Sequence, residues 1–238
     1  LRTFRWLAHG WADLMAAPRV GLAHGALMAL FGGALLAFAW NHFWVLAGAF
    51  SGFLLVAPIL STGLYAVSRA LVRGEPANFG TVQRVWASLD RRLVQFGILL
   101  TAMGTGWVIS SAAIITLGVK PTVATPVDFL YRVVLASDSG VFEIWLLLGG
   151  LMASPIFASS VVAIPLLLDR QVTMQCALRT SWQAVAANPI CMSLWAAIVM
   201  SLTALGLATF MFGLIVVLPV LGHATWHAYR DLVVRETS

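Results

Sequence analysis

Charge is what this chain has least of. Of its 238 residues, 10% are Asp, Glu, Lys or Arg and 61% are hydrophobic. A water-soluble domain carries about 25% charged residues, so a soluble globular fold is excluded. Lysine occurs once, at Lys120, and cysteine twice, at Cys176 and Cys191. That cysteine spacing matches no metal motif and builds no disulfide framework, which leaves two small apolar side chains in a reducing compartment. There is no Ser/His/Asp order, no zinc-protease histidine pair with its glutamate, and no glycine loop for phosphate. No catalytic residue is therefore assigned, and the chain is expected not to be an enzyme. No charge falls near the middle of any apolar run, which counts against proton-coupled transport. No basic stripe alternates with aromatics in a polar segment, so nucleic acid is not an expected partner.

What is present is apolar sequence in helix-length runs: Gly21–Ala39, Phe43–Leu60, Leu93–Leu117, Ile144–Leu168, Cys191–Thr209 and Met211–Ala224. About twenty such residues cross a bilayer, because in hydrocarbon each backbone polar group must be satisfied within its own helix. Six spans are predicted, at about 19–39, 43–69, 92–117, 141–167, 190–209 and 211–232. A turn near Gly206–Gly213 divides the last two. The chain begins at Leu1 rather than Met, so an upstream start is expected. No small-residue cleavage pattern follows the first run, and no cleavable signal is expected.

The arginines orient this arrangement. Arg2, Arg5, Arg19, Arg69, Arg73, Arg84, Arg91, Arg92, Arg170, Arg179, Arg230 and Arg235 fall on one side of six spans; only Lys120 and Arg132 fall on the other. The positive-inside rule then puts both termini in the cytoplasm, with the chain in a bacterial inner membrane. The net charge of +5 thus reads as topology and contact with anionic lipid, worth about 1 kcal/mol per residue near the surface.

A threefold internal similarity organises the chain. Trp11 precedes Pro18 by seven residues, Trp182 precedes Pro189 by seven, and Trp86 stands in the same place before Leu93. Proline at a helix's first turn removes a donor that had no partner there. Tryptophan a turn or two earlier suits the headgroup layer. Pro58-Ile-Leu60 precedes Tyr65 and Arg69 as Pro219-Val-Leu221 precedes Trp226 and Arg230. Amphipathic segments at about 3–16, 80–91 and 172–187 open the three units. The expected fold is all-α: one membrane domain over 1–238, a helical bundle of about six spans. Its pseudo-threefold repeat joins an amphipathic segment to a helix hairpin, in units at about 1–70, 80–167 and 171–235. The long segment Gly118–Gly140 is expected to be structured, with a short amphipathic turn over Asp128–Leu135.

Polar candidates are few. His223 and His227 are four apart and share a helix face, and His24 should lie at similar depth. That set is a candidate metal or haem site; a polar packing network between helices is the alternative. Trp11, Trp86, Trp182 and Trp226 are candidate interface anchors. Asp169 and Arg170 read as an ion pair or helix end, Asp90-Arg91-Arg92 likewise, and Arg230 as structural. Gly21-x3-Gly25 and Gly48-x3-Gly52 read as helix packing.

Gly10-Trp-Ala-Asp-Leu14, Gly52-Phe-Leu-Leu-Val-Ala-Pro-Ile-Leu60, Gly63-Leu-Tyr-Ala-Val-Ser-Arg69, the run Phe157–Arg170, Asn188-Pro189 and Gly222-His-Ala-Thr-Trp-His-Ala-Tyr-Arg230 resemble a bacterial integral membrane family, domain of unknown function 2189. The resemblance covers nearly the whole chain and is most specific in the final segment. It implies fold and location, and no activity. The expected function is a non-catalytic subunit, or an assembly or stabilising factor, of a larger inner-membrane complex such as a respiratory one. Its expected partners are membrane lipids and other membrane subunits. The alternatives are a transporter, channel or lipid-handling protein, and a metal- or haem-binding redox protein using His24, His223 and His227.

Overall fold

A computed structural model of the chain describes residues 1–42, 60–88, 90–120, 122–136 and 140–233. Its regular elements are all helical. They are α1 (Arg2–Ala16), α2 (Pro18–Ala39), α3 (60–73), α4 (Phe79–Ala87), α5 (Arg91–Gly118), α6 (Pro126–Phe129) running into a single π turn (Leu130–Val134), α7 (Val141–Ser160), α8 (Ala163–Asp169), α9 (Met174–Ala187), α10 (Pro189–Ala208) and α11 (Leu214–Val233). Among the described residues, four stretches are long and apolar enough to cross a membrane: Pro18–Phe38, Arg91–Gly118, Val141–Asp169 and Pro189–Ala208. Of the expected second span, 43–59 lies outside the described residues, as does Gly48-x3-Gly52; its end lies in α3. The expected sixth span, α11, is not among the four. Its start, 214–222, is apolar, but the rest carries His223, His227, Arg230 and Asp231.

The three predicted amphipathic segments are helices α1, α4 and α9, each followed by an apolar helix. The breaks between α1 and α2 and between α9 and α10 have nearly the same backbone, φ −132°, ψ 56° at Ala17 and φ −131°, ψ 52° at Asn188. Pro18 and Pro189 then open their helices. Before α5 the cap is Asp90, which accepts from Arg92 N at 2.9 Å and pairs with the Arg92 guanidinium at 2.6 Å. Arg92 also donates to the carbonyls of Leu167, Arg170 and Val172, tying α5 to the end of α8. Arg69 reaches the Leu168 carbonyl at 2.7 Å. These bonds collect the arginine-bearing helix ends at one end of the molecule.

Proline explains why the apolar stretch Val141–Asp169 is two helices. Pro165 has no N–H for the Val161 carbonyl, and its ring crowds that turn. The helix breaks at Val161–Val162. Ser181 of α9 mends the break: its Oγ accepts from Val162 N at 3.2 Å and donates to the Ala158 carbonyl at 2.6 Å, the two groups a continuous helix would have joined. Ser181 is fully buried. Ser181→Ala should strand both backbone groups and cost about 1–3 kcal/mol, read as a lower unfolding midpoint in detergent. Ser181→Thr should keep most of the stability.

The core lies at the arginine-bearing end. Trp6, Phe96, Leu167, Met192, Trp195, Trp226 and Tyr229 are buried together, with most of α8. Trp6 meets Trp195 edge-on, with ring centroids 5.5 Å apart. At the opposite end, Leu30 and Phe38 of α2, Ile109 and Leu117 of α5, Leu147 and Leu151 of α7 and Leu205 of α10 are exposed. That end has its own small core of Ile115, Val123, Val133 and Val141, closed by Phe129, Phe142 and Trp145. The expected turn in Gly118–Gly140 is therefore present, as a helical segment from Pro126 to Val134. Thr125 caps it reciprocally with Asp128. The Thr125 hydroxyl and the Ala124 and Thr125 N–H groups hold the Asp128 carboxyl below its usual range. That contribution is present above the unfolded carboxylate value near about 4. It disappears as pH falls through the lowered folded value. Amide protection factors across 122–134, corrected for the intrinsic rate at each pH, should fall on acidification in the wild type and be low throughout in Asp128→Ala.

The turn between α10 and α11 falls where Gly206 and Gly213 predict it. A Cβ on Gly213 would lie 2.6 Å from Thr209 Oγ1 and 2.9 Å from Gly206 Cα, so both positions need glycine's small size. The turn holds Phe210 and Met211 at positive φ, 51° and 71°.

Candidate functional site

The most polar part of the buried core is built by α1, α3 and α11. Helix α1 buries Thr3, Trp6, Gly10 and Leu14, a stripe at three- and four-residue spacing. Between membrane helices apolar area gives little drive, because lipid tails are as apolar as leucine; close approach and interhelical hydrogen bonds decide. Gly10 supplies the approach. A Cβ there would lie 2.6 Å from the Val220 carbonyl and 2.7 Å from Ala224 N, both on α11. Gly21 and Gly25 bring α2 against the same helix, at Pro219 and Ile215, which is the packing role read for that motif.

The approach carries Asp13 to α11. His227 Nε2 donates to Asp13 Oδ2 at 2.8 Å. His9 lies against His227, with ring centroids 5.0 Å apart. Ser68 of α3 also hydrogen-bonds Asp13 and shares a 2.8 Å hydrogen bond with His223 Nδ1. His223 and Ser68 are fully buried. Burial pushes the Asp13 carboxyl up, but the hydrogen bonds from His227 and Ser68, with the nearby histidine charge, outweigh it and hold the carboxyl below its usual range. A second set of bonds ties the start of α1 down. Arg2 pairs with Asp231 at 2.8 Å and donates to Asn188 Oδ1, and Trp6 Nε1 donates to Asp231 at 3.1 Å.

His24 sits apart from this chain of groups. Its Nδ1 donates to the Val20 carbonyl one turn back, at 2.8 Å, and its ring packs on Trp86. Its Nε2 is buried without a hydrogen-bond partner. His223 and His227 thus share a face with Asp13, while His24 is held by its own helix. Among the described residues, no three His, Cys, Asp or Glu side chains come together as a metal site.

The remaining predicted residues divide. Trp11 and Trp182 are half-exposed, and the Trp182 indole donates to Ser159 Oγ at 3.0 Å. Trp86 is partly buried against His24. Trp226 is no surface anchor: it is wholly buried and packs on Tyr229, because α11 turns that face into the core. Asp169 does not pair with its neighbour Arg170. It accepts from Tyr229 Oη at 2.9 Å and pairs with Arg73 at 3.3 Å, while Arg170 is exposed and lends its carbonyl to Arg92. Arg230 is half-buried. Sequence reasoning missed Asp13, Ser68 and Ser181. For Asp13 a signal was there: it lies three residues after Gly10, on the edge of α1's apolar stripe.

What these helices and this polar interior define is an all-α, membrane-spanning protein with several long apolar helices, a polytopic arrangement consistent with a bacterial inner membrane. The chain belongs to the family described as "Predicted integral membrane protein (DUF2189)", whose model matches residues 45–169, more than half of it. The match ends before the Gly222–Arg230 segment on which the resemblance leaned most. No curated protein matches the chain, and no solved structure does.

Proposed function

We propose that the chain is a non-catalytic integral membrane subunit, or an assembly and stabilising factor, of a larger inner-membrane complex such as a respiratory one. Lipids and other membrane subunits are its partners, and its two termini are cytoplasmic. In this reading the six spans come from three like units, at about 1–70, 80–167 and 171–235. The matching breaks at Ala17 and Asn188 support that repeat, as does an amphipathic helix before each of α2, α5 and α10.

The observation that carries the proposal is how little of the spans the chain covers by itself. In the 18-residue apolar window of each stretch, 22% of the residues are buried for Pro18–Phe38 and for Arg91–Gly118 and 17% for Pro189–Ala208, against 50% for Val141–Asp169. Gly33 and Gly106 in two of those spans, and Gly150 in Val141–Asp169, have open space where a Cβ would go. Small residues on a membrane helix are where another helix comes close. The Asp13–His227 contact suits a passive role as well: it latches an interfacial helix to a span, and its groups are occupied with one another.

Purification from native membranes in mild detergent, with the co-eluting chains identified, tests this. The expected result is a stoichiometric complex that Gly106→Leu and Gly150→Leu break up without lowering the chain's own unfolding midpoint. A clean monomer from native membranes would count against it. A transporter or lipid-handling role is the second reading. It is favoured by a cavity of about 220 Å³ between α2, α3, α10 and α11, with His24, Ser61, Tyr65, Thr203 and Thr225 on its wall.

A further inference from the structure

Three arginines border one cavity at the arginine-bearing end, and the fold uses up only one of them. The cavity, about 540 Å³, lies between α3, α4, the start of α5 and the end of α8. Arg92 is spent. Its Nε and Nη2 pair with Asp90, and its Nη1 and Nη2 reach the carbonyls of Arg170, Val172 and Leu167. That occupies all five N–H groups of the guanidinium. Arg69 and Arg84 are different. Arg69 gives one bond, from Nη1 to the Leu168 carbonyl at 2.7 Å, and Arg84 one long bond, 3.4 Å to Thr81 Oγ1. Neither pairs with a carboxylate among the described residues. Leu168 and Thr81 border the cavity too, which sets both guanidinium groups at its edge.

Helix α3 keeps the space open. Ala66, Arg69 and Ala70 share one face of it, at three- and four-residue spacing. Both alanines are buried and end at Cβ, so they leave room between the helices that longer side chains would fill.

Charge and depth select the occupant. Asp90 is matched by Arg92, which leaves Arg69 and Arg84 against the exposed Glu75. The balance is positive, so the cavity takes an anion. Guanidinium forks grip phosphate through paired N–H groups. The span Arg91–Gly118 begins at this cavity and Val141–Asp169 ends at it, which is the level of lipid headgroups. The amphipathic helix α4 beside it exposes Phe79. Basic pockets between membrane helices on the cytoplasmic side suit anionic headgroups. We propose that this cavity binds the phosphate of an anionic phospholipid headgroup, held by Arg69 and Arg84, rather than a free phosphate ester from solution. The choice of a lipid rests on the proposed placement of the arginine-bearing end at the cytoplasmic leaflet. It holds whether or not the chain joins a larger complex.

The test is native mass spectrometry of the full chain in dodecyl maltoside micelles. Dioleoylphosphatidylglycerol or dioleoylphosphatidylcholine is the probe, and retained lipid is counted. One phosphatidylglycerol should be held about tenfold more tightly than phosphatidylcholine, whose choline cation cancels the charge beside the phosphate. Arg84→Gln removes an exposed guanidinium; it should weaken that binding about tenfold and leave the unfolding midpoint unchanged. Glu75→Gln should tighten it about threefold. Arg179→Gln makes the same charge change as Arg84→Gln at an exposed position on α9, outside the cavity, and should have no effect. Equal retention of the two lipids overturns the proposal. So does a loss in Arg179→Gln as large as that in Arg84→Gln, which would mark a diffuse basic surface. Displacement of the bound lipid by millimolar glycerol phosphate also overturns it, by showing a site for phosphate from solution. Failure on any of these counts would leave the co-purification result untouched.

Discussion

His227→Phe should destabilise the folded chain by about 2–4 kcal/mol, more than any other single change to the polar core. Removing one partner of a buried ionic pair strands the other charge, at about 3–5 kcal/mol when burial is complete. Here the side chains of His227 and Asp13 keep 16% and 13% exposure, which lowers the figure. A neutral hydrogen bond between membrane helices would be worth only about 0.6 kcal/mol, so the size of the loss reports whether a carboxylate is being stranded. The compensated variant Asp13→Leu/His227→Phe should return to within about 1 kcal/mol of wild type, since replacing both partners by apolar groups is often nearly neutral. Unfolding midpoints in detergent–SDS mixtures would show it. Asp13 also adds a pH dependence. Its folded carboxyl is held below the usual range, so its contribution is present above the unfolded value of about 4. It is lost as pH falls through the lowered folded value. Asp13→Asn should flatten that acid limb.

Gly10→Val should detach α1. The atoms a Cβ would strike are the Val220 carbonyl and Ala224 N, backbone of a packed helix that cannot swing aside as a side chain can. Overpacking costs about 1–3 kcal/mol where neighbours can shift, and here the shift must be α1 itself. Moving it breaks the Asp13–His227 contact and withdraws Trp6 from Trp195. Amide exchange should rise throughout Arg2–Ala16, with little change in α5 or α7. Gly106→Val is the control: nothing lies within reach of its Cβ, so it should leave exchange unchanged.

These residues also show where sequence reading reached and where it stopped. Long apolar runs and helical periodicity placed α2, α5, α7 and α10, and the amphipathic helices α1, α4 and α9, because both signals are local. Pro18 and Pro189 marked helix starts for the same reason, and glycine pairing marked the turn after α10. Tertiary pairing was not legible. Asp169 had a cation beside it in sequence, yet it pairs with Tyr229 and Arg73, sixty and ninety-six residues away. Trp226 was read as an anchor from its place near a helix end, but which face turns inward depends on the helices packed around α11, and Trp226 is wholly buried beside Tyr229. Asp13 is a surface residue by composition and a core residue only because Gly10 lets two backbones touch. His223 and His227 were legible as a pair. Their partners, Ser68 and Asp13, come from helices far off in the chain and carry no local mark.

The arginine-bearing end of the bundle is proposed to face the cytoplasm, and the native Cys176 reports on that. Cys176 is exposed on α9, at that end, and no disulfide involves it; Lys120 is exposed at the other. A thiol reagent that cannot cross membranes, applied to intact cells, should leave Cys176 unlabelled until the membrane is permeabilised, and should label Lys120→Cys at once. Labelling of Cys176 in intact cells, with Lys120→Cys protected, would contradict the account.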